Sequence, residues 1–317
     1  MLKMVFVSRR VWLDGGFSPA AVFVEDGRIT RIEKEYGASV SLPAFADGFV
    51  CRDFGDCAVF PGFTDVHVHF REPGFLYKET IRTGSMAAAH GIPGIASESE
   101  WRMIERDLAL AAQTGCAYHV CHISTREAVS LIRDAKRSGV DVTAETAPHY
   151  LTLTDAALRD EGRFKMNPPI RAAADRDALI EGVCDGTIDM LATDHAPHSR
   201  EEKSRGLRGS LMGVVGLETA FPVVYTELCL PGIVPLARIL AMLTAAPAGR
   251  FALDGGEFTV GARANLTVWD TEHAYTIDPE RFATMGRATP FAGWTVYGKC
   301  VCTVADGKTV YSESEGE

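Results

Sequence analysis

The sequence lacks long apolar runs and an excess of basic residues. No stretch approaches the roughly 20 apolar residues that a helix needs to cross a bilayer, so we expect no membrane span. Lys and Arg number 32 against 42 Asp and Glu, which leaves a net charge of −10 at pH 7. Recognition of a phosphate backbone needs a basic face, so the charge argues against nucleic-acid binding. A small anionic substrate stays compatible with it, because a local site can oppose the overall charge.

The cysteines lack the spacing of a metal or redox motif. Eight are scattered along the 317 residues with no Cys-x-x-Cys pair. The N-terminus lacks the charged start, long apolar core and cleavage site of a secretory signal. We therefore expect reduced thiols in a cytoplasmic protein. Asparagine is scarce too, with only Asn167 and Asn265.

Turn signals and apolar patterns divide the chain into two β-rich ends and an α/β centre. Asp-Gly pairs separate short β segments near both ends. In the centre, strands alternate with helices, which predicts parallel pairing and right-handed crossovers. We predict an α/β fold, with an incomplete TIM-like (β/α) barrel at 58–257 and a small β-sandwich domain made from 1–57 and 258–317. The predicted central strands are 59–69, 117–122, 140–146 and 188–194. The predicted helices are 77–90, 97–114, 125–138 and 175–184, the second with a capping box from Ser97 to Glu100.

Two histidines lie two residues apart at the end of the first central strand. Because side chains alternate along a strand, His67 and His69 point to the same side. Paired imidazoles are suitable ligands for Zn²⁺ or a similar metal. Arg71 keeps the spacing of two and could bind a carboxylate through a bidentate fork. The pair alone is weak evidence, because two structural histidines give the same pattern.

The longer string around this pair is far more specific. The segment from Val59 to Gly74 resembles the first metal motif of the amidohydrolase superfamily of cyclic-amide hydrolases. Its Phe-Arg-Glu-Pro-Gly tail is similar to that of dihydroorotases. Allantoinases are close, but they usually carry a different residue at the Arg71 position. The resemblance implies a metal-dependent hydrolase with a barrel domain and a composite β-sandwich.

Two further strings resemble ligand motifs of dihydroorotases. Cys-His-Ile-Ser-Thr implies that His122 is a metal ligand, although a histidine at a strand end is more often structural. His119 lies three residues earlier and is expected to face the opposite side. In Ala-Thr-Asp-His-Ala-Pro-His, the resemblance implies that Asp194 is both metal ligand and general base. The same string implies that His198 helps to bind the substrate carboxylate.

Two loops resemble the substrate-contacting loops of the same family. Two prolines fix the backbone after Asn167, and the matching asparagine in dihydroorotases contacts the substrate ring. Gly213 begins a Gly-Val-Val-Gly string that is similar to the glycine loop beside the substrate. Four other histidines are interpreted as structural or surface residues: His90, His149, His195 and His273.

The sequence departs from the family at one place. In the family barrel His69 would end strand one and His122 strand six, yet only residues 70–121 lie between them. A βα unit needs roughly 30 residues, so about four units look absent, with the join near residues 90–94. A bridging lysine or aspartate, a histidine of the second metal site and a substrate-binding asparagine are expected to be missing with them.

Ligand counting then favours one zinc ion per chain. His67, His69 and Asp194 with a water make an open catalytic site, whereas His122 alone cannot hold a second metal. Four parallel strands cannot close a barrel, and open edges invite pairing. We therefore hypothesise a homo-oligomer in which two chains complete one barrel. The sheet order would run from the His69 strand through the His122 strand and the 140–146 strand to the Asp194 strand. Asp194 of one chain would then lie beside His67 and His69 of the other.

The predicted reaction is the reversible hydrolysis of the cyclic amide of dihydroorotate to N-carbamoyl-aspartate, in pyrimidine synthesis. Zinc would acidify a water, and Asp194 would move its proton to the leaving nitrogen. Arg71 and His198 would hold the substrate carboxylate, and Asn167 the ring. One alternative is a related allantoinase or dihydropyrimidinase, against which Arg71 and Asn167 argue. The other is a non-catalytic homologue that acts as structural partner of another enzyme, such as a carbamoyltransferase.

Overall fold

The computed structural model describes residues 3–34, 48–69 and 95–313. Arg71, the helix predicted at 77–90 and the join near 90–94 lie outside the described residues. The strands are β1 (Lys3–Leu13), β2 (Gly16–Glu25), β3 (Arg28–Lys34), β4 (Val50–Asp53), β5 (Ala58–Pro61), β6 (Tyr118–Val120), β7 (Val142–Thr146), β8 (Met190–Leu191), β9 (Leu266–Asp270), β10 (Tyr275–Thr276), β11 (Thr295–Val296), β12 (Lys299–Ala305) and β13 (Lys308–Ser312). The α-helices are α1 (Glu98–Thr114), α2 (Arg126–Arg137), α3 (Pro148–Thr152), α4 (Ala173–Asp185), α5 (Arg200–Lys203), α6 (Gly206–Gly209), α7 (Ala220–Val224), α8 (Leu236–Leu243) and α9 (Ala245–Arg250).

The chain divides into two compact units. The first comprises Met1–Thr64, Ile239–Tyr275 and Val296–Glu317, and the second comprises Asp65–Arg238 and Thr276–Thr295. The composite β-sandwich and its boundaries at 57/58 and 257/258 stay predictions.

The first unit is built on one mixed sheet. Its strand order is β13-β12-β9-β5-β1-β2-β3, with β4 parallel to β1. Asp14 and Gly15, both with positive φ, close the β1–β2 hairpin, as the right-handed twist of paired strands requires. Apolar side chains from β1, β2, β5, β9 and β12 form its core, including Phe6, Val22, Val59, Leu266 and Val304.

Two Asp-Gly turns of this unit pack directly against each other. Gly27 closes the β2–β3 turn with a φ of +78°, and a Cβ added there would lie 2.8 Å from the backbone oxygen of Asp306. Gly307 closes the β12–β13 turn, and its added Cβ would lie 2.8 Å from the Cα of Gly27. Glycine is therefore required at both turns for space as well as for backbone conformation.

The second unit contains the parallel sheet that carries the predicted site. The strand order β6-β7-β8 and its parallel pairing confirm the βαβ pattern predicted for these three strands. Parallel bridges of Val68 with His195 and of His195 with Val214 lie beside it. The hypothesised run from the His122 strand through the 140–146 strand to the Asp194 strand is thus confirmed. The hypothesised place of the His69 segment is wrong, because it neighbours the Asp194 segment of the same chain instead of the His122 strand. The single strand predicted from 59 to 69 is also wrong, since β5 ends at Pro61.

The helix that follows β6 forms as predicted, whereas the cap predicted for α1 does not. The Thr125 side chain caps α2 by accepting a hydrogen bond from the Ala128 N–H, which confirms this helix start. Ser97 makes no side-chain cap bond to α1. The Glu100 carboxylate instead accepts from the N–H and hydroxyl groups of both Ser124 and Thr125. The predicted capping box is thus wrong, because four donors from Ser124 and Thr125 bind the Glu100 carboxylate in place of the local backbone N–H of the helix start.

No helix within the described ranges has the length and apolarity to cross a bilayer.

Candidate metal centre

His67, His69 and Asp194 lie together within one chain. The Asp194 Oδ1 atom is 3.0 Å from Nε2 of His69 and 3.7 Å from Nε2 of His67. Backbone pairing brings the segments together, since the His69 N–H donates to the His195 carbonyl at 2.9 Å. The hypothesis that Asp194 joins the histidines of a second chain is therefore wrong for this structure, in which parallel pairing within the chain supplies the contact.

Two residues predicted as metal ligands lie in turns with left-handed backbone conformations. Asp194 has a φ of +46° and His122 a φ of +35°, values that are uncommon outside glycine and often found at functional sites. Each residue lies just beyond a parallel strand. The turn redirects its side chain away from the alternation of the strand, so the direction of these two side chains cannot be inferred from strand periodicity.

Asp65 joins the two segments that carry the predicted ligands His67 and Asp194. Its carboxylate accepts from the Thr193 hydroxyl at 2.5 Å, the Thr193 N–H at 3.2 Å and the His67 N–H at 3.1 Å. Burial raises the pKa of Asp65 above its usual value, against the opposing effect of these hydrogen bonds. The residue before Asp194 and the backbone of His67 are thus held by one carboxylate.

Glu145 on β7 lies behind His67 and was not among the predicted site residues. Its side chain is fully buried, with Oε1 2.7 Å from His67 Nδ1 and Oε2 3.0 Å from His119 Nε2. Burial alone would raise the pKa of Glu145, but the hydrogen bonds with His119 and His67 outweigh it and give a pKa of about 2. The expectation that His119 faces away from the site is wrong, because it shares this carboxylate with His67.

His67 also belongs to a second group of possible ligands. Ligand atoms of His67, Cys121 and Glu145 lie within 4.8 Å of one another, as do those of His67, His69 and Asp194. Hydrogen bonds with Cys121 and then Glu145 raise the pKa of His67 to about 10. His67 is therefore protonated in the metal-free protein at neutral pH, and metal binding through it would release a proton.

His122 lies next to His67 with an unused nitrogen. The two ring centroids are 4.7 Å apart, and the His122 N–H donates to Glu145 Oε1 at 3.3 Å. Its Nδ1 is buried and has no hydrogen-bond partner among the described residues. Burial lowers the pKa of His122 and favours the neutral imidazole that metals bind. The role of His122 as a ligand stays a prediction.

The donor set of this cluster fits a divalent metal such as zinc. Two imidazole nitrogens and one carboxylate oxygen converge, which matches the open sites that keep a position for water or substrate. Asp194 is only 5% exposed, so its carboxylate contacts few waters that would compete with a cation. The ring of His122, whose Nδ1 has no partner within the described part of the chain, lies 4.7 Å from the ring of His67 between centroids.

The three predicted substrate residues that the structure describes, Asn167, His198 and Gly213, lie in loops of the same unit. Gly213 has a φ of +132°, and a Cβ there would lie 2.6 Å from the Ala196 carbonyl oxygen and 3.1 Å from His198 Nε2. His198 Nε2 donates to the Met212 carbonyl at 2.7 Å. Asn167 is exposed. The close fit of Gly213 against His198 brings together two of the predicted residues, while the substrate-binding roles stay predictions.

Two further histidines are buried in neutral form. His195 Nδ1 accepts from the Gly216 N–H at 3.2 Å, and burial lowers its pKa to about 4. Burial also lowers the pKa of His149 to about 4. Both rings therefore stay uncharged at neutral pH. His273 lies on the surface, 2.9 Å from Asp270.

Residues 94–310 match the family model described as the amidohydrolase family. A dihydroorotase of Brevibacillus brevis is 53% identical over 233 residues, which are 73% of this chain and 55% of that protein. A dihydroorotase of Anoxybacillus flavithermus is 47% identical over 250 residues, which are 78% of this chain and 58% of that protein. The chain thus spans little more than half the length of these curated relatives.

Solved structures share the fold at low sequence identity. A dihydropyrimidinase from Brevibacillus agri aligns with a TM-score of 0.83 at 16% identity, over 98% of this chain and 95% of that chain. A D-hydantoinase from a Bacillus species aligns with a TM-score of 0.81 at 18% identity, over 98% and 95% of the two chains. These likenesses establish the mixed α/β architecture around the cluster of His67, His69 and Asp194.

Proposed function

The chain belongs to the amidohydrolase family, and from this premise we propose that it is a zinc-dependent cyclic amidohydrolase of the dihydroorotase type. The proposed reaction is the reversible hydrolysis of the cyclic amide of dihydroorotate to N-carbamoyl-aspartate. The observation that carries the proposal is the convergence of His67, His69 and Asp194 within one chain. The identities of 46–53% to curated dihydroorotases support this substrate over those of the hydantoinases.

His67 and His69 would hold the metal with Asp194. A bound Zn²⁺ supplies Lewis-acid chemistry, in that it acidifies water and polarises a carbonyl. Asp194 accepts the proton of the attacking water and returns it to the leaving nitrogen. Its position 3.0 Å from His69 Nε2 and its low exposure hold the carboxylate in one place for both transfers.

Arg71, Asn167, His198 and Gly213 would bind the substrate. We propose that Arg71 and His198 hold the substrate carboxylate, that Asn167 contacts the ring, and that Gly213 leaves room for it. His198 already donates to Met212 and lies 3.5 Å from Glu202. It would therefore reach a substrate carboxylate by exchanging one of these partners.

The finer features of the assembly are proposals as well. We propose one zinc per chain, with His122 beside it, and a barrel made incomplete by the absent units. A homo-oligomer that completes this barrel, or a carbamoyltransferase partner, would cover its open edge. The short span relative to the curated relatives supports the proposal of absent barrel units. The names of the relatives support a small-molecule substrate, and the scattered cysteines support the proposed cytoplasmic location.

Metal content and turnover on one sample test the proposal. We expect about one zinc per chain by elemental analysis, and hydrolysis of dihydroorotate that falls about 10²–10⁴-fold in Asp194→Asn. Asp189→Asn is the matched control, because Asp189 bonds Lys136 and the Ala144 N–H away from the cluster. Folded protein without metal or turnover would favour the non-catalytic partner. Faster turnover of allantoin or a dihydropyrimidine would identify another cyclic amidase.

A further inference from the structure

Glu145 is the centre of a line of side chains that begins on the sheet and ends at the candidate metal centre. The Thr143 hydroxyl lies 2.8 Å from His119 Nδ1, and His119 Nε2 lies 3.0 Å from Glu145 Oε2. Glu145 Oε1 lies 2.7 Å from His67 Nδ1. The parallel register of β6 and β7 places His119 opposite Thr143. The line is therefore fixed by strand pairing.

The carboxylate dictates which nitrogen of His67 carries a proton. An ionised carboxylate only accepts hydrogen bonds, so each imidazole nitrogen facing it must be an N–H donor. His67 then donates from Nδ1, and its Nε2 becomes the nitrogen available to a metal. That Nε2 lies 3.7 Å from Asp194 Oδ1, on the side of the cluster where His69 also points.

We propose that Glu145 is a positioning residue for the metal centre, which holds His67 with Nδ1 protonated and Nε2 directed toward Asp194, and that His119 holds Glu145 in turn. This inference rests on the proposed metal site. Metal-binding histidines commonly donate their other N–H to a carboxylate, and loss of that partner weakens metal affinity. The chain uses an additional imidazole to stabilise the carboxylate, which is fully buried.

The competing interpretation makes Glu145 a ligand itself, together with Cys121. The hydrogen bonds argue against it. Oε1 is shared by His67 Nδ1 and the His122 N–H, and Oε2 by His119. A cation bound to either oxygen would have to compete with the donors already there, whereas a cation between His67 Nε2, His69 and Asp194 leaves all of these hydrogen bonds in place.

Zinc affinity and stoichiometry, measured by competition with a chromogenic chelator, test the inference. Glu145→Gln keeps one acceptor oxygen and Glu145→Met keeps none. We expect the zinc dissociation constant to rise about 10–100-fold in Glu145→Met, with a smaller rise in Glu145→Gln and the same number of zinc ions per chain in both. Asp189→Asn, as the matched control, should bind zinc as the unaltered protein does. Cys121→Ser should keep the same number of zinc ions per chain.

Three results would overturn the inference. They are unchanged zinc affinity in folded Glu145→Met, loss of one zinc equivalent in both Glu145→Met and Cys121→Ser, and a wild-type protein that binds no zinc. Nitrogen-15 NMR of histidine-labelled, zinc-loaded wild-type protein needs no variant to fold. A proton on His67 Nδ1 supports the inference, and a proton on Nε2 contradicts it. If zinc affinity changes as expected but the protein does not hydrolyse dihydroorotate, the proposed function is wrong and the inference about Glu145 still holds.

Discussion

The Asp65 carboxylate accepts hydrogen bonds from both the backbone N–H and the hydroxyl of Thr193, at 3.2 and 2.5 Å. Thr193 precedes Asp194, and Asp65 lies two residues before His67. Hydrogen bonds within the protein therefore connect the two segments that supply the proposed ligands. The cluster is held in place before any metal binds, which lowers the ordering cost of metal binding.

The hydrogen bond from the Thr193 hydroxyl to Asp65 should contribute measurably to the stability of the protein. Thr193→Val keeps the shape of the side chain but removes the donor to Asp65, which leaves part of a largely buried carboxylate without its partner. We expect the free energy of unfolding to fall by about 1–3 kcal/mol. Thr193→Ser keeps the hydroxyl and is the matched control. Equal denaturant stability of the two variants would show that the hydroxyl is dispensable.

Burial of His149 predicts a loss of stability in acid. Its pKa is lowered from 6.5 to about 4 by burial, so between these values the unfolded chain binds a proton that the folded protein does not. The free energy of unfolding should therefore fall as pH is lowered from 6.5 to 4, by at most about 3 kcal/mol from this residue. Urea unfolding of His149→Gln at several pH values should show a smaller decrease.

Exposed His273 provides the control for this pH dependence. Its side chain is 83% exposed, so His273→Gln should retain nearly all of the acid destabilisation of the unaltered protein. If His149→Gln and the unaltered protein lose stability equally between pH 6.5 and 4, His149 is not the responsible group.

The contact between the two Asp-Gly turns predicts a position-specific glycine requirement. Gly27→Ala adds a Cβ 2.8 Å from the Asp306 backbone oxygen at a φ of +78°. Gly15→Ala introduces the same backbone strain, with a φ of +81°, but no atom lies within 4 Å of the new Cβ. Both should destabilise the protein by more than about 1 kcal/mol. Thermal unfolding should show a larger loss of stability in Gly27→Ala than in Gly15→Ala, because only Gly27→Ala disturbs the packing of the two turns. Equal losses of stability would contradict this packing contribution.

Lys203 should stabilise the loop that contains Gly213. Its buried ammonium group donates to the carbonyls of Lys165, Leu211 and Gly213 at 2.9, 2.7 and 2.7 Å. Lys203→Met keeps the length of the side chain, and we expect it to cost about 1–3 kcal/mol for each carbonyl left without a partner. The loop should also become more sensitive to limited proteolysis.

The control for Lys203 is a cation on the surface of the same segment. Arg205 forms an exposed ion pair with Glu201 at 3.2 Å, and such pairs contribute little. Arg205→Met should therefore change stability by less than about 1 kcal/mol. If Lys203→Met is no more destabilising than Arg205→Met, the three hydrogen bonds of Lys203 do not hold the loop.

Local signals in the sequence were sufficient for elements whose contacts are local. The Asp-Gly turns and the start of α2 at Thr125 follow from residues within a few positions. The spacing of two also placed His67 and His69 on one side, and both contact Asp194, although the strand from which this was argued ends at Pro61. What the sequence could not provide is the neighbour of each segment in space, so the pairing of Val68 with His195 was missed.

Two errors at the site have physical causes. His119 was excluded because alternation was extended as far as His122, whereas the left-handed turn at His122 ends the regular strand. Glu145 was passed over as an ordinary strand residue. A carboxylate between Ala144 and Thr146 on an apolar strand is itself a signal, because a buried acid needs partners. A third error lies outside the site. The local cap predicted for Glu100 is wrong because the spacing of residues in the sequence does not reveal donors from distant segments.

The pairing of Val68 with His195 also has a consequence for biosynthesis. On the ribosome, the segment with His67 and His69 is made long before Asp194 exists, so the proposed three-residue centre cannot assemble on the early nascent chain. Zinc would be captured only after the peptide has been extended past residue 195 and the two segments have paired. The supply of metal in the cell would then act on a polypeptide already past the middle of this sequence, and metal shortage would release a chain without its metal.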